Sequence, residues 1–77
     1  MDKVYIDVIA EFGQDGSLRP LSFIWEDGKR YSVDRVLRIE RCASRKAGGV
    51  GTMYTCRVEG KESHLFLEED RWFVARR

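Results

Sequence analysis

The sequence predicts an all-β fold: a six-stranded antiparallel meander curled into a small SH3-like barrel, a single domain over residues 1–77. Three observations lead there. Apolar residues recur at every second position, the period of a half-buried strand. β-Branched and aromatic side chains occupy those positions. Short clusters of Gly, Asp and Glu punctuate them at turn spacing. So short a chain laid out as an open sheet would leave one face uncovered, and curling it into a barrel removes that face.

The first strand is read from Lys3 to Phe12, with Val4, Ile6, Val8, Ala10 and Phe12 on one face. Gly13-Gln14-Asp15-Gly16 follows as a turn, and the second strand sets Leu21, Phe23 and Trp25 against Ser22, Ile24 and Glu26. Pro20 has no N–H for a ladder, which puts it at that strand's start or on an edge. A three-residue loop Glu26-Asp27-Gly28, closed by a left-handed Gly28 in a G1 bulge, pairs Phe23 with Tyr31 and Leu21 with Val33. A two-residue Asp27-Gly28 turn would instead set Trp25 against Arg30, mixing core with surface.

Lys29 to Cys42 is read as a long third strand with Tyr31, Val33, Leu37 and Ile39 inward. Arg35 and Val36 break its rhythm and predict a bulge or sharp bend there. A helix capped by Ser32 competes over the same stretch, with Val33, Val36, Leu37 and Glu40 at helical spacing, but the β-branched content favours a strand. Ser44 to Gly51 is a glycine-rich loop and Thr52 to Glu59 the fourth strand, with Tyr54, Cys56 and Val58 on one face. Gly60-Lys61 fits a type II′ turn that sets Cys56 opposite Leu65 and Tyr54 opposite Leu67, with Glu59 facing Glu62. Glu69-Asp70 turns the chain so that Leu67 meets Trp72, Leu65 meets Val74, and Phe66 meets Phe73 on the other face. Two phenylalanines on a solvent face require a cover or a partner.

The formal charge is +1, with charged residues 35% and apolar residues 43% of the chain, a balance that suits a globule. Charge is nevertheless segregated. Residues 1–28 hold two bases and six acids, residues 29–56 seven bases and two acids, and residues 57–77 five of each. The longest uncharged run, Ala47 to Cys56, contains three glycines and predicts no membrane span. Acids near the start argue against a secretory leader, which makes a cytoplasmic setting with reduced thiols the expectation.

Chemistry is excluded more readily than assigned. His64 is the only histidine. The strand reading turns it away from Cys56, so a Cys–His dyad is not expected. Cys42 and Cys56 lack a C-x-x-C element, and one histidine cannot complete a zinc site, so neither metal nor cofactor is expected. A hairpin centred on Gly49 would set the two cysteines opposite each other, within reach of a disulfide. Arg45-Lys46-Ala47-Gly48-Gly49-Val50-Gly51-Thr52 suggests a phosphate loop, but its lysine precedes the glycines and a strand follows. No pair of carboxylates is marked as acid and base, and an enzyme is not expected.

The strings Ile24-Trp25-Glu26-Asp27-Gly28, Tyr31-Ser32-Val33-Asp34-Arg35-Val36, Ala43-Ser44-Arg45-Lys46-Ala47-Gly48-Gly49, Tyr54-Thr55-Cys56-Arg57 and Arg71-Trp72-Phe73-Val74 resemble a family of small uncharacterised bacterial, clostridial-type all-β proteins. The resemblance covers nearly the whole chain, implies a bacterial cytoplasmic setting and one stand-alone domain, and transfers no site residue.

The expectation is therefore a non-enzymatic binding module. In the leading reading it binds single-stranded nucleic acid through the basic segment 29–46, with Arg35, Arg38, Arg41, Arg45 and Lys46 as cations and Trp25, Tyr54 and Trp72 as stacking platforms. The alternative is a protein-interaction or self-associating module that uses a face built of Arg57, Phe66 and Phe73, or an open strand edge. The first requires the cations to share a face with an exposed aromatic.

Overall fold

The structure is a computed structural model that describes residues 2–43 and 50–76. It is all-β, with no helix among the described residues. Eight strands are present among the described residues: β1 (Asp2–Tyr5), β2 (Asp7–Phe12), β3 (Leu18–Ile24), β4 (Arg30–Ser32), β5 (Arg35–Ala43), β6 (Val50–Val58), β7 (Lys61–Glu68) and β8 (Arg71–Arg76). They form two antiparallel sheets, one ordered β1-β8-β7-β6-β5 and one ordered β2-β3-β4.

The expected six strands become eight because two of them change sheets part-way. At Ile6 the N–H still donates to the Trp72 carbonyl at 3.1 Å, while the next residue, Asp7, already pairs with Ile24. At the other corner the Val33 N–H donates to Leu21 and the Asp34 N–H to Arg57, each at 2.8 Å. Successive backbone groups in a strand point to opposite sides, so each corner hands the chain from one sheet to the other without leaving a donor unmade. The result is two sheets joined by two bent strands, and not one closed barrel.

Three of the four hairpins whose turns lie among the described residues follow the expected residues at least in part. Phe23 pairs with Tyr31, their rings stacked at 5.5 Å, and Gly28 is left-handed at φ 85°. The Trp25 N–H reaches the Lys29 carbonyl at 2.9 Å, which closes the three-residue loop. Leu67 pairs with Trp72 and Phe66 with Phe73 around Glu69-Asp70. The Gly13–Gly16 turn is closed by a bond from the Gly13 N–H to Ser17 at 2.7 Å.

The β6–β7 hairpin differs. Its turn is Glu59-Gly60, both residues at positive φ (50° and 77°), with Val58 opposite Lys61. Both central φ values are those of a type I′ turn, which suits strand twist as well as the expected type II′. The two-residue shift keeps the core face intact but moves Cys56 opposite Ser63 and Tyr54 opposite Leu65. It also replaces the Glu59/Glu62 clash with an Arg57/Glu62 pair.

The cysteine pairing is likewise corrected: Cys42 lies opposite Gly51, and Cys56 opposite Val36. The glycine-rich stretch 44–49 lies outside the described residues.

The core lies between the sheets. Phe23 of β3 packs with Tyr54, Cys56, Val58 and Leu65 of β6 and β7, and Ile6, Val8, Trp25, Val36, Trp72 and Val74 close around them. Val36, and not Leu37, points inward. A bulge between Val36 and Arg38 turns Leu37 outward, and Ile39, although opposite Tyr54, remains 51% exposed. A second bulge in the β2–β3 ladder leaves Leu21 without an opposite residue and exposed, while Pro20 is buried. Phe12, expected inward, is 76% exposed at the end of β2.

Candidate functional site

The described cations of the basic segment do not gather. Residues of β6 alternate between the core face (Tyr54, Cys56, Val58) and the outer face, so their partners on β5 can be placed. Arg35 and Arg38, opposite Arg57 and Thr55, stand on the outer face, whereas Arg41, opposite Thr52, belongs to the other. Arg38 is ion-paired to Glu40. Arg45 and Lys46 lie outside the described residues. Of the stacking platforms, Tyr54 is buried, while Trp25 and Trp72 are half-buried against the core. The Tyr54 and Trp72 ring centroids are 5.1 Å apart.

The outer aromatic face has its own cover. Phe73 is only 5% exposed. Phe66 stacks on it at 5.2 Å, and Tyr5 meets it edge-on at 5.8 Å. Lys3 sits 4.8 Å above the Phe73 ring and bonds Glu68 at 3.1 Å, while the Arg71 guanidinium caps Tyr5 at 3.8 Å. Cation–π contacts and stacking thus build a second small cluster on this face. Arg57, exposed on the same face, stands opposite Arg35 and Glu62, away from these rings in the ladder. Beside this cluster Thr55 is 1% exposed, and its hydroxyl has no hydrogen-bond partner among the described residues.

A feature absent from the sequence reading is the seam between β7 and β8. Their ladder runs only from Glu68/Arg71 to Phe66/Phe73. The expected Leu65/Val74 pair does not form, because beyond Phe73 β8 stays with β1 and its end is tied across to the smaller sheet by the Arg76–Glu26 ion pair. Ladder alternation fixes what this leaves open. The two-residue turn makes Glu68/Arg71 and then Phe66/Phe73 hydrogen-bonded pairs, so the next would be His64 with Ala75. Their backbone groups face each other across the seam with no ladder between them. Behind lies an open cleft of about 650 Å³ lined by Phe23, Trp25, Tyr31, Val58, Leu65 and Val74. Glu59, Lys61, Glu62 and His64 form its rim.

The chemistry of reactive groups is sparse. His64 is on the outer face, 3.9 Å from a Glu62 carboxylate oxygen, while Cys56 is fully buried on the core face. Burial pushes the Cys56 thiol up to about 11, and it raises Tyr54 as well. A protonated, inaccessible thiol is a poor nucleophile. No group of three metal-ligating side chains occurs among the described residues, and no helix there is long and apolar enough to cross a membrane. Comparison with protein-family models, curated proteins and solved structures finds no match.

Proposed function

We propose that the chain is a non-enzymatic protein-interaction module that takes an extended peptide segment into the seam between β7 and β8. The observation that carries the reading is the interrupted ladder: main-chain donors and acceptors of His64 and Ala75 face a gap floored by aromatic side chains. Strand addition draws affinity from such main-chain groups and specificity from pockets for alternate side chains. Phe23, Trp25 and Tyr31 supply apolar area for those side chains. The nucleic-acid reading has less support, because Arg35 and Arg38 stand on a different face from Arg41 and the aromatic rings near them are covered.

The test is an array of octapeptides that alternate apolar and polar residues, read by Trp25 fluorescence and by direct titration. Ala75→Pro removes the one amide hydrogen of β8 that faces the gap and none that bonds β1. It is expected to weaken peptide binding by about tenfold, the equivalent of one hydrogen bond. An array with no binder, alongside a single-stranded oligonucleotide whose affinity falls steeply with salt, overturns the reading.

A further inference from the structure

The two longest edge strands differ in a way that suits them to each other. β2 edges the smaller sheet and β5 the larger, and neither has a strand on its free side among the described residues. Of the six large apolar side chains left exposed among the described residues, four lie on these two strands: Ile9 and Phe12, on opposite faces of β2, and Leu37 and Ile39 on β5. A fifth, Leu21, joins Leu37 and Ile39 in a groove of about 680 Å³ between β3 and β5. Edge strands of monomers ordinarily carry charge or proline in such places, because exposed apolar edges invite pairing.

Charge separates the two surfaces. The described part of β2 carries Asp7 and Glu11 and no base. β5 carries Arg35, Arg38 and Arg41 against the single acid Glu40. Some of this charge is engaged at home, Glu11 with Arg19 and Arg38 with Glu40, yet the signs along the two edges remain opposite. Like edges would repel: β5 against β5 aligns arginines, and β2 against β2 aligns carboxylates. Ladder alternation also leaves the backbone groups of Ile39 and Arg41 on the free side of β5, and those of Val8 and Ala10 on the free side of β2.

We propose that β2 of one copy docks along the β5 groove of a second copy, seating Ile9 against Leu21, Leu37 and Ile39, with Asp7 and Glu11, which share the face of Ile9, along Arg35 and Arg38 of the groove. The two surfaces differ, meeting within one copy only at Glu11, which lines the groove, so the contact is heterologous and each copy keeps one free end of each kind. Such a contact builds chains or rings, and not a closed two-fold dimer. The seam between β7 and β8 takes no part in it.

The experiment is sedimentation of the full chain over a wide concentration range. At about 50 mM ionic strength the mass is expected to rise beyond two copies, and to fall back at about 1 M, where charges are screened within about 3 Å. Ile9→Lys puts a cation on the β2 edge. Ile39→Pro removes an amide on the free side of β5, where an edge tolerates proline. Each variant alone, with an unchanged circular dichroism spectrum, is expected to sediment as the 9.0 kDa monomer. Mixed one to one, they retain one sound edge each and are expected to give twice that mass and nothing larger. A wild type that is monomeric throughout, variants that still associate singly, or a mixture that stays monomeric each overturns the proposal.

Discussion

At the scale of the residue, Cys56 couples packing to pH. It is fully buried between Tyr54 and Val58, and its Sγ donates to the Tyr54 carbonyl at 3.6 Å. Burial raises the thiol from 9.0 to about 11. In that window the folded chain holds a proton that the unfolded chain has released. The stabilisation is therefore complete below pH 9 and is lost as pH climbs to 11, by up to about 1.4 kcal/mol per unit. Urea unfolding between about pH 8 and pH 11 is expected to show this decline, and Cys56→Ala is expected to flatten it relative to wild type even though the variant is less stable throughout. Parallel pH profiles would refute the assignment. The burial of Cys56 follows from alternation in the sequence. The covering of Phe73 does not, because Lys3 and Arg71 reach over the aromatic rings from strands whose order no local pattern reveals.

At the scale of the element, the hairpin turns hold the removable strain. Glu69 and Asp70 sit at φ 51° and 63° with no glycine in the turn. Left-handed backbone costs an L-residue roughly 1–2 kcal/mol, less for Asp. The double substitution Glu69→Asn with Asp70→Gly installs the residue pair that a type I′ turn prefers. It is expected to stabilise the chain by about 1 kcal/mol, seen as a higher urea midpoint at unchanged slope. An unchanged or lower midpoint would show that the turn is not strained. Turn chemistry was also the most legible part of the chain: Glu26-Asp27-Gly28 and Glu69-Asp70 lie where their residue types indicated, and Phe23/Tyr31 and Phe66/Phe73 follow from them. Glu59-Gly60 was less legible. A two-residue slip there preserves both faces, so hydrophobic pattern alone could not choose between registers, and the pairing of Arg57 with Glu62 distinguishes them. Bulges escape alternation for a related reason. The broken rhythm at Arg35 and Val36 signalled the bulge found between Val36 and Arg38, but not that Leu37 is the extra residue, and nothing marks Leu21 in the same way.

At the scale of the molecule, the question is whether the two sheets are one cooperative unit. A three-stranded sheet as small as β2-β3-β4 has little independent stability, and its Phe23 completes a core that otherwise comes from β6 and β7. The strand periodicity implied the shared core. It did not imply the open sides, because these depend on where β4 and β8 leave their neighbours. Past the Val33–Leu21 bond the chain that follows β4 leaves β3 for β5, so no strand meets the Leu18 carbonyl, and the Tyr54 hydroxyl donates to it at 2.8 Å. That bond ties the larger sheet to the smaller across the core and fills a vacant ladder position. Tyr54→Phe keeps the ring and its contact with Trp72 but leaves the carbonyl without its donor. It is expected to cost about 1–2 kcal/mol, within the range for a hydrogen bond to a poorly hydrated acceptor. If the sheets fold together, far-ultraviolet dichroism and tryptophan fluorescence will report one coincident transition in wild type and variant alike, displaced to lower urea in the variant. Two separated transitions in the variant would mean that this bond alone couples the sheets. An undisplaced midpoint would mean that water replaces the phenol without loss and that coupling resides in the apolar contacts of Phe23.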